Sequence, residues 1–145
     1  MPPKPIDYDG HLIGCDPGTV NLGFAHYASN NLTVHQVKMI RDKNPIKRIQ
    51  NLDYIMYTLF TTNTPERLSK GMTIEGSAFD ARFRQVELGE ARATMALWGL
   101  DNDFDVCIVA PNSIRKNVFG HGKIKAHEAW TGLSSDGLAA LSCIY

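Results

Sequence analysis

Apolar and polar positions change their period several times along this chain, and each change marks a predicted element. Leu12 to Cys15, Leu22 to Ala28 and Leu32 to Met39 are short apolar-rich runs of strand length, parted first by Pro17-Gly18 and then by Ser29-Asn30-Asn31. Such residues reverse a chain, so the three runs predict an antiparallel meander. The period lengthens at Asn44-Pro45, where asparagine can cap a helix and proline suits its first position. Ile46, Ile49, Leu52, Ile55, Met56 and Leu59 then recur at helical spacing and predict a core-facing stripe that ends at Thr64-Pro65. Met72 to Ile74 reads as a buried strand, and Val86 to Trp98 as a helix with Leu88, Ala91, Met95 and Trp98 on one side. Val106 to Val109 reads as another short buried strand. Asn112 to Phe119 follows as a helix capped by Asn112 or Ser113, with Ile114 and Val118 facing inward. Strands alternating with helices after a meander predict an α/β chain: a mixed sheet, the meander plus parallel strands, flanked by helices.

Three acids stand where these elements end. Asp16 closes the first strand and is followed by Pro17-Gly18, which forbid regular structure beyond it. Glu75 closes the Met72–Ile74 strand and precedes Gly76, and Asp136 heads the apolar run to Ile144. Any one of them has a plain reading as a turn former or helix cap, Asp136 above all. Together they are the hard oxygen donors that Mg²⁺ prefers, and two such ions, about 3.5 to 4 Å apart, serve phosphodiester hydrolysis. Mn²⁺ is expected to substitute.

The motifs around these acids resemble the RuvC-type Holliday-junction resolvases of the RNase H-like superfamily. The resemblance rests on Ile13-Gly-Cys-Asp16-Pro-Gly-Thr-Val-Asn-Leu-Gly23, on Ile74-Glu75 followed by Leu88-Gly-Glu-Ala-Arg92, on Val109-Ala-Pro111 before a basic segment, and on Ser135-Asp136-Gly-Leu-Ala139-Ala140. It runs from Leu12 to Tyr145, and the Leu-Gly-Glu-Ala-Arg helix after an Ile-Glu strand is its best discriminator. It implies an RNase H-like fold, a magnesium-dependent endonuclease that cuts four-way DNA junctions, and a homodimer whose two-fold axis matches paired cuts. Asp16, Glu75 and Asp136 would be the metal ligands. One departure matters: where the family has a fourth carboxylate, three residues before Asp136, this chain has Leu133. Either Glu128 or a water takes that place, or the metal site is weaker, or a loop near Trp130-Thr131 has been lost.

Substrate contacts are expected in two segments. The loop Gly76-Ser-Ala-Phe79-Asp-Ala-Arg82-Phe83-Arg84 sets two aromatics among two arginines, a mixture that stacks on unpaired bases and takes phosphates. By resemblance Phe79 is the family's aromatic wedge; Phe83 is equally a plug for the core. Arg115, Lys116, Lys123 and Lys125 cluster near the last motif, and Gly120-His-Gly-Lys123 is a flexible basic turn. The resemblance makes Lys123 a candidate for stabilising phosphate charge, against a plain reading as an exposed helix start. His121 and His127 read more simply as surface groups than as proton carriers.

Composition narrows the picture without changing it. The 145 residues with 43% hydrophobic content fit a single domain over 1–145, with 1–10 a flexible N-terminal segment. No apolar run approaches the ~20 residues of a membrane span, and Met1 to Asp9 lacks a secretory signal's apolar stretch, so a cytoplasmic site in a bacterium or a phage-infected host is expected. Cys15, Cys107 and Cys143 read as buried thiols. Fifteen basic residues balance fifteen acidic ones, unlike a strongly basic binding domain, so a basic groove has to arise from placement. Rival readings are a junction-binding protein without catalysis, a YqgF-type RNA nuclease, and an ATPase lobe using Asp16 to Asn21 as a phosphate turn, for which the chain is too short.

Overall fold

A five-stranded mixed sheet organises the computed structural model, which describes residues 10–28, 31–39, 41–60, 69–76 and 85–119, the side chains of Arg115 and of 117–119 excepted. The elements are β1 (Gly10–Asp16), β2 (Asn21–Ala28), β3 (Asn31–Lys38), α1 (Pro45–Phe60), β4 (Ser69–Glu75), α2 (Gln85–Asp101), β5 (Asp105–Val109) and α3 (Pro111–Phe119). Strand order is β3-β2-β1-β4-β5. The meander is antiparallel, and β4 and β5 join β1 in parallel. The expected mixed sheet flanked by helices is therefore the observed one.

Alternation along the strands separates two faces. Ile13, Cys15, Leu22, Phe24, Met72 and Ile74 turn to one face and are buried there beneath Leu52, Met56 and Phe60 of α1 and Ala91, Met95 and Trp98 of α2. Burial of each large apolar side chain is worth about 1.5 to 3 kcal/mol. Helix α2 lies close on the sheet because residue 99 has no side chain: a Cβ at Gly99 would stand 2.8 Å from both Met72 Sδ and Val106 Cγ2. Helix α1 begins as its sequence predicts, with Asn44 Oδ1 accepting the Ile46 N–H at 3.0 Å.

Four expectations need correction. Ile46 is 58% exposed rather than part of the core stripe. It precedes Leu52 by six residues, which at 3.6 residues per turn puts it roughly 120° round the helix. Strand β5 is not a buried strand, since it lies at the sheet edge with Asp105, Cys107 and Ile108 exposed. Cys107 is thus an exposed thiol, pointing away from the face that takes Val106 into the core. Helix α3 starts at Pro111 itself, and the Ala110 carbonyl accepts the N–H groups of Ser113 and Ile114, so neither Asn112 nor Ser113 is its cap.

The end of the sheet where β1 begins is filled with rings. His11 stacks against His26 with centroids 4.4 Å apart, Phe104 meets His11 edge-on at 5.0 Å, and Phe60 meets His26 at 5.2 Å. The two histidines also join Nε2 to Nε2 in a hydrogen bond.

Candidate active site

Parallel pairing of β1 with β4 matches Cys15 to Ile74, so the next residues, Asp16 and Glu75, end neighbouring strands side by side. Cys15 and Ile74 both face the helices, which turns both carboxylates to the opposite face. Adjacent strands lie about 4.8 Å apart. Two acids separated by 58 intervening residues thus share one rim of the sheet, both partly buried.

Neighbouring groups hold this rim in place. Gly18 lets the chain turn away at once: a Cβ there would stand 1.7 Å from the Asn21 carbonyl oxygen, so no other residue fits. Gly76 donates its N–H to the Val109 carbonyl at 2.8 Å, extending the β4–β5 pairing one residue past Glu75. Arg92 Nε donates to the Glu75 carbonyl at 3.1 Å, so α2 grips the end of the strand. Arg48 of α1 forms a forked ion pair with Glu90 of α2, with Nε and Nη2 to carboxylate oxygens at 2.8 to 3.1 Å. Its Nη1 donates to the carbonyls of Asp42 and Lys43. The Leu88-Gly-Glu-Ala-Arg92 motif therefore acts through two supports, Glu90 on Arg48 of α1 and Arg92 on the end of β4. Nothing in residue spacing foretells either contact, since Arg48 and Glu90 lie 42 residues apart.

The donor set fits a hard divalent cation. Both carboxylates offer oxygen, and the nearest sulfur is withheld: burial, and then the charge of Asp16, push the Cys15 thiol well above its ordinary range, so it stays protonated and faces the core. Among the described residues no three potential ligands cluster closely enough to hold a metal. Asp136, the third predicted ligand, lies outside the described residues, as do Lys123, Lys125, Phe79, Arg82 and Arg84. Of the other predicted contacts, Lys116 is exposed on α3, and the Arg115 side chain is also outside the described set.

No protein-family model matches the sequence, and no curated protein does either. Solved structures do resemble it. RuvC of Thermus thermophilus aligns with a TM-score of 0.66 at 14% identity, covering 92% of this chain and 90% of that one. T. thermophilus RuvC in complex with a Holliday junction substrate aligns with a TM-score of 0.66 at 13% identity, covering 93% and 90%. YeaZ from Pseudomonas aeruginosa, at a TM-score of 0.45 and 11% identity over 77% of this chain and 50% of that one, is too distant to carry an argument. The chain has the RNase H-like fold seen in RuvC. At these identities the likeness concerns the fold.

Proposed function

We propose that this protein is a magnesium-dependent, structure-selective DNA endonuclease that resolves four-way junctions. The observation that carries the reading is the β1–β4 register, which sets Asp16 beside Glu75 on one face of an RNase H-like sheet. Support comes from the fold, shared with a resolvase whose structure includes a Holliday junction substrate.

Asp16 and Glu75, with Asp136, would hold two ions, which when bound would supply an activated water and offset charge on the leaving oxygen. The protein's own part is placement. Gly18 and Arg92 fix the two strand ends, and the protonated Cys15 leaves the oxygens without a competing soft ligand. Phe79 with Arg82 and Arg84 takes the opened junction, while Arg115, Lys116, Lys123 and Lys125 neutralise its phosphates. A homodimer sets two such sites about one two-fold axis, as paired symmetric cuts require.

The test incubates the protein with labelled four-way junction, linear duplex and structured RNA, with and without Mg²⁺, beside Glu75→Gln. Paired junction cuts that need Mg²⁺ and fall at least ~100-fold in Glu75→Gln are expected. Binding without cutting in either Mg²⁺ or Mn²⁺ would leave a junction-binding protein, and cleavage of RNA alone would overturn the substrate.

A further inference from the structure

The stretch from Lys38 to Arg48 carries five cations, Lys38, Arg41, Lys43, Lys47 and Arg48, against a single acid, Asp42. The chain's overall neutrality hides this run, and the fold brings it to the carboxylate rim. Asp16 pairs with Gly23 and Asn21 pairs with Lys38, so alternation puts Lys38 on the same face as Asp16, two strand spacings across the sheet and two residues further along it, roughly 12 Å away. Beyond it, Arg41 and Lys43 line an open cleft with Thr19, which belongs to the turn that leaves Asp16.

The run divides by what its cations touch. Arg48 is committed to Glu90 and to the carbonyls of Asp42 and Lys43, and this pins the loop that carries Arg41 and Lys43. Lys70 and Arg92, elsewhere in the described structure, likewise donate to backbone carbonyls. The head groups of Lys38, Arg41 and Lys43 are exposed and have no hydrogen-bond or ion-pair partner among the described residues. Among the described residues, opposing charge in the cleft is limited to Glu87 and to Asp42, whose Oδ1 already accepts the Asn44 N–H. Three solvated cations on an anchored loop and strand end, beside the Asp16–Glu75 rim, make a surface for a polyanionic backbone.

We infer that Lys38, Arg41 and Lys43 form a phosphate track that carries the nucleic-acid strand away from the Asp16–Glu75 rim on the β3 side of the sheet. This rests on the nuclease reading and adds a second contact region to it, on the opposite side of Asp16 from β4. The track reads backbone through charge, since phosphate contacts of lysine and arginine fix position on a strand and carry no sequence information.

The experiment measures binding of the full chain to a four-way junction in EDTA across a salt series, for the wild type and for the Lys38→Gln/Arg41→Gln/Lys43→Gln variant. Each phosphate contact adds about 0.9 to the slope of log affinity against log salt. The variant is expected to bind at least tenfold more weakly near physiological salt, with a slope shallower by about 2 to 3 and an unchanged melting temperature. A variant with unchanged affinity and slope, beside a wild type that binds and cuts, overturns the track alone; a wild type that binds no nucleic acid overturns the nuclease reading with it. If the triple variant is destabilised, Lys38→Gln and Lys43→Gln carry the test singly, each expected to reduce the slope by about 0.9. Arg41→Lys, which keeps the charge, retains wild-type binding.

Discussion

Strand β1 carries an ionisable group near each end, and the two have opposite surroundings. His11 is 1% exposed, enclosed by His26 and Phe104, and burial, followed by the charges of His26 and Lys70, lowers its pKa to about 4. His26 is lowered by burial and then by His35. Asp16, five residues along, sits at a rim from which Pro17 and Gly18 take the chain away, beside a second carboxylate. One end is closed off from charge by rings, and the other sets two carboxylates side by side. Stability should therefore depend on the ring end and chemistry on the rim.

Four changes bear on that division. Phe60 touches Phe24, His26, His35 and Trp98, so Phe60→Ala should cost about 3 to 5 kcal/mol in urea unfolding. Asp16→Asn should act mainly on chemistry: cleavage falls at least ~100-fold, a larger effect than any change in the urea midpoint. A large stability loss there would mean the rim is structural.

Acid should act at the ring end. An unfolded histidine titrates near 6.5. Folded His11 resists protonation until about pH 4, so below pH 6.5 the unfolded chain binds protons the folded one refuses. Stability thus falls as pH drops from about 6.5 towards 4 and levels off below, by roughly 3 kcal/mol for His11, with His26 adding in the same direction. Urea unfolding at about pH 7, 5.5 and 4.5 should show a shallower loss for His11→Phe than for the wild type. The smallest effect belongs to neither end: Asp103 adopts φ 64° after α2, and Asp103→Gly should raise stability by up to ~1 kcal/mol, read in the same titration.

Much of this architecture is legible in residue order, because local chemistry dictates it. Pro17-Gly18 must turn, Asn44-Pro45 must start a helix, and alternation along β1 and β2 sorts Ile13, Cys15 and Phe24 from Asp16. The two acids of the rim are legible for the same reason, as residues that end apolar strands. Their adjacency is not, because it depends on which strands pair and in what register. Neighbour relations also decide the exposure of Cys107, at a sheet edge that composition does not mark, and the Arg48–Glu90 fork. The ring cluster is half legible: His11 and His26 share the parity of core positions, yet only the fold shows them in contact. The basic run from Lys38 to Arg48 escapes a chain-wide sum of charge and is caught by a window of eleven residues.

Arg92 grips the backbone of Glu75 and leaves its side chain alone. An amide oxygen keeps the same strength as an acceptor whether the nearby acid is ionised, protonated, bound to a cation or exchanged for glutamine. The strand end is accordingly moored independently of the electrical state of the residue it presents. Swapping the acid alters reactivity at a fixed position, whereas Arg92→Met would displace an intact acid, and the two variants together tell how far turnover depends on charge and how far on location.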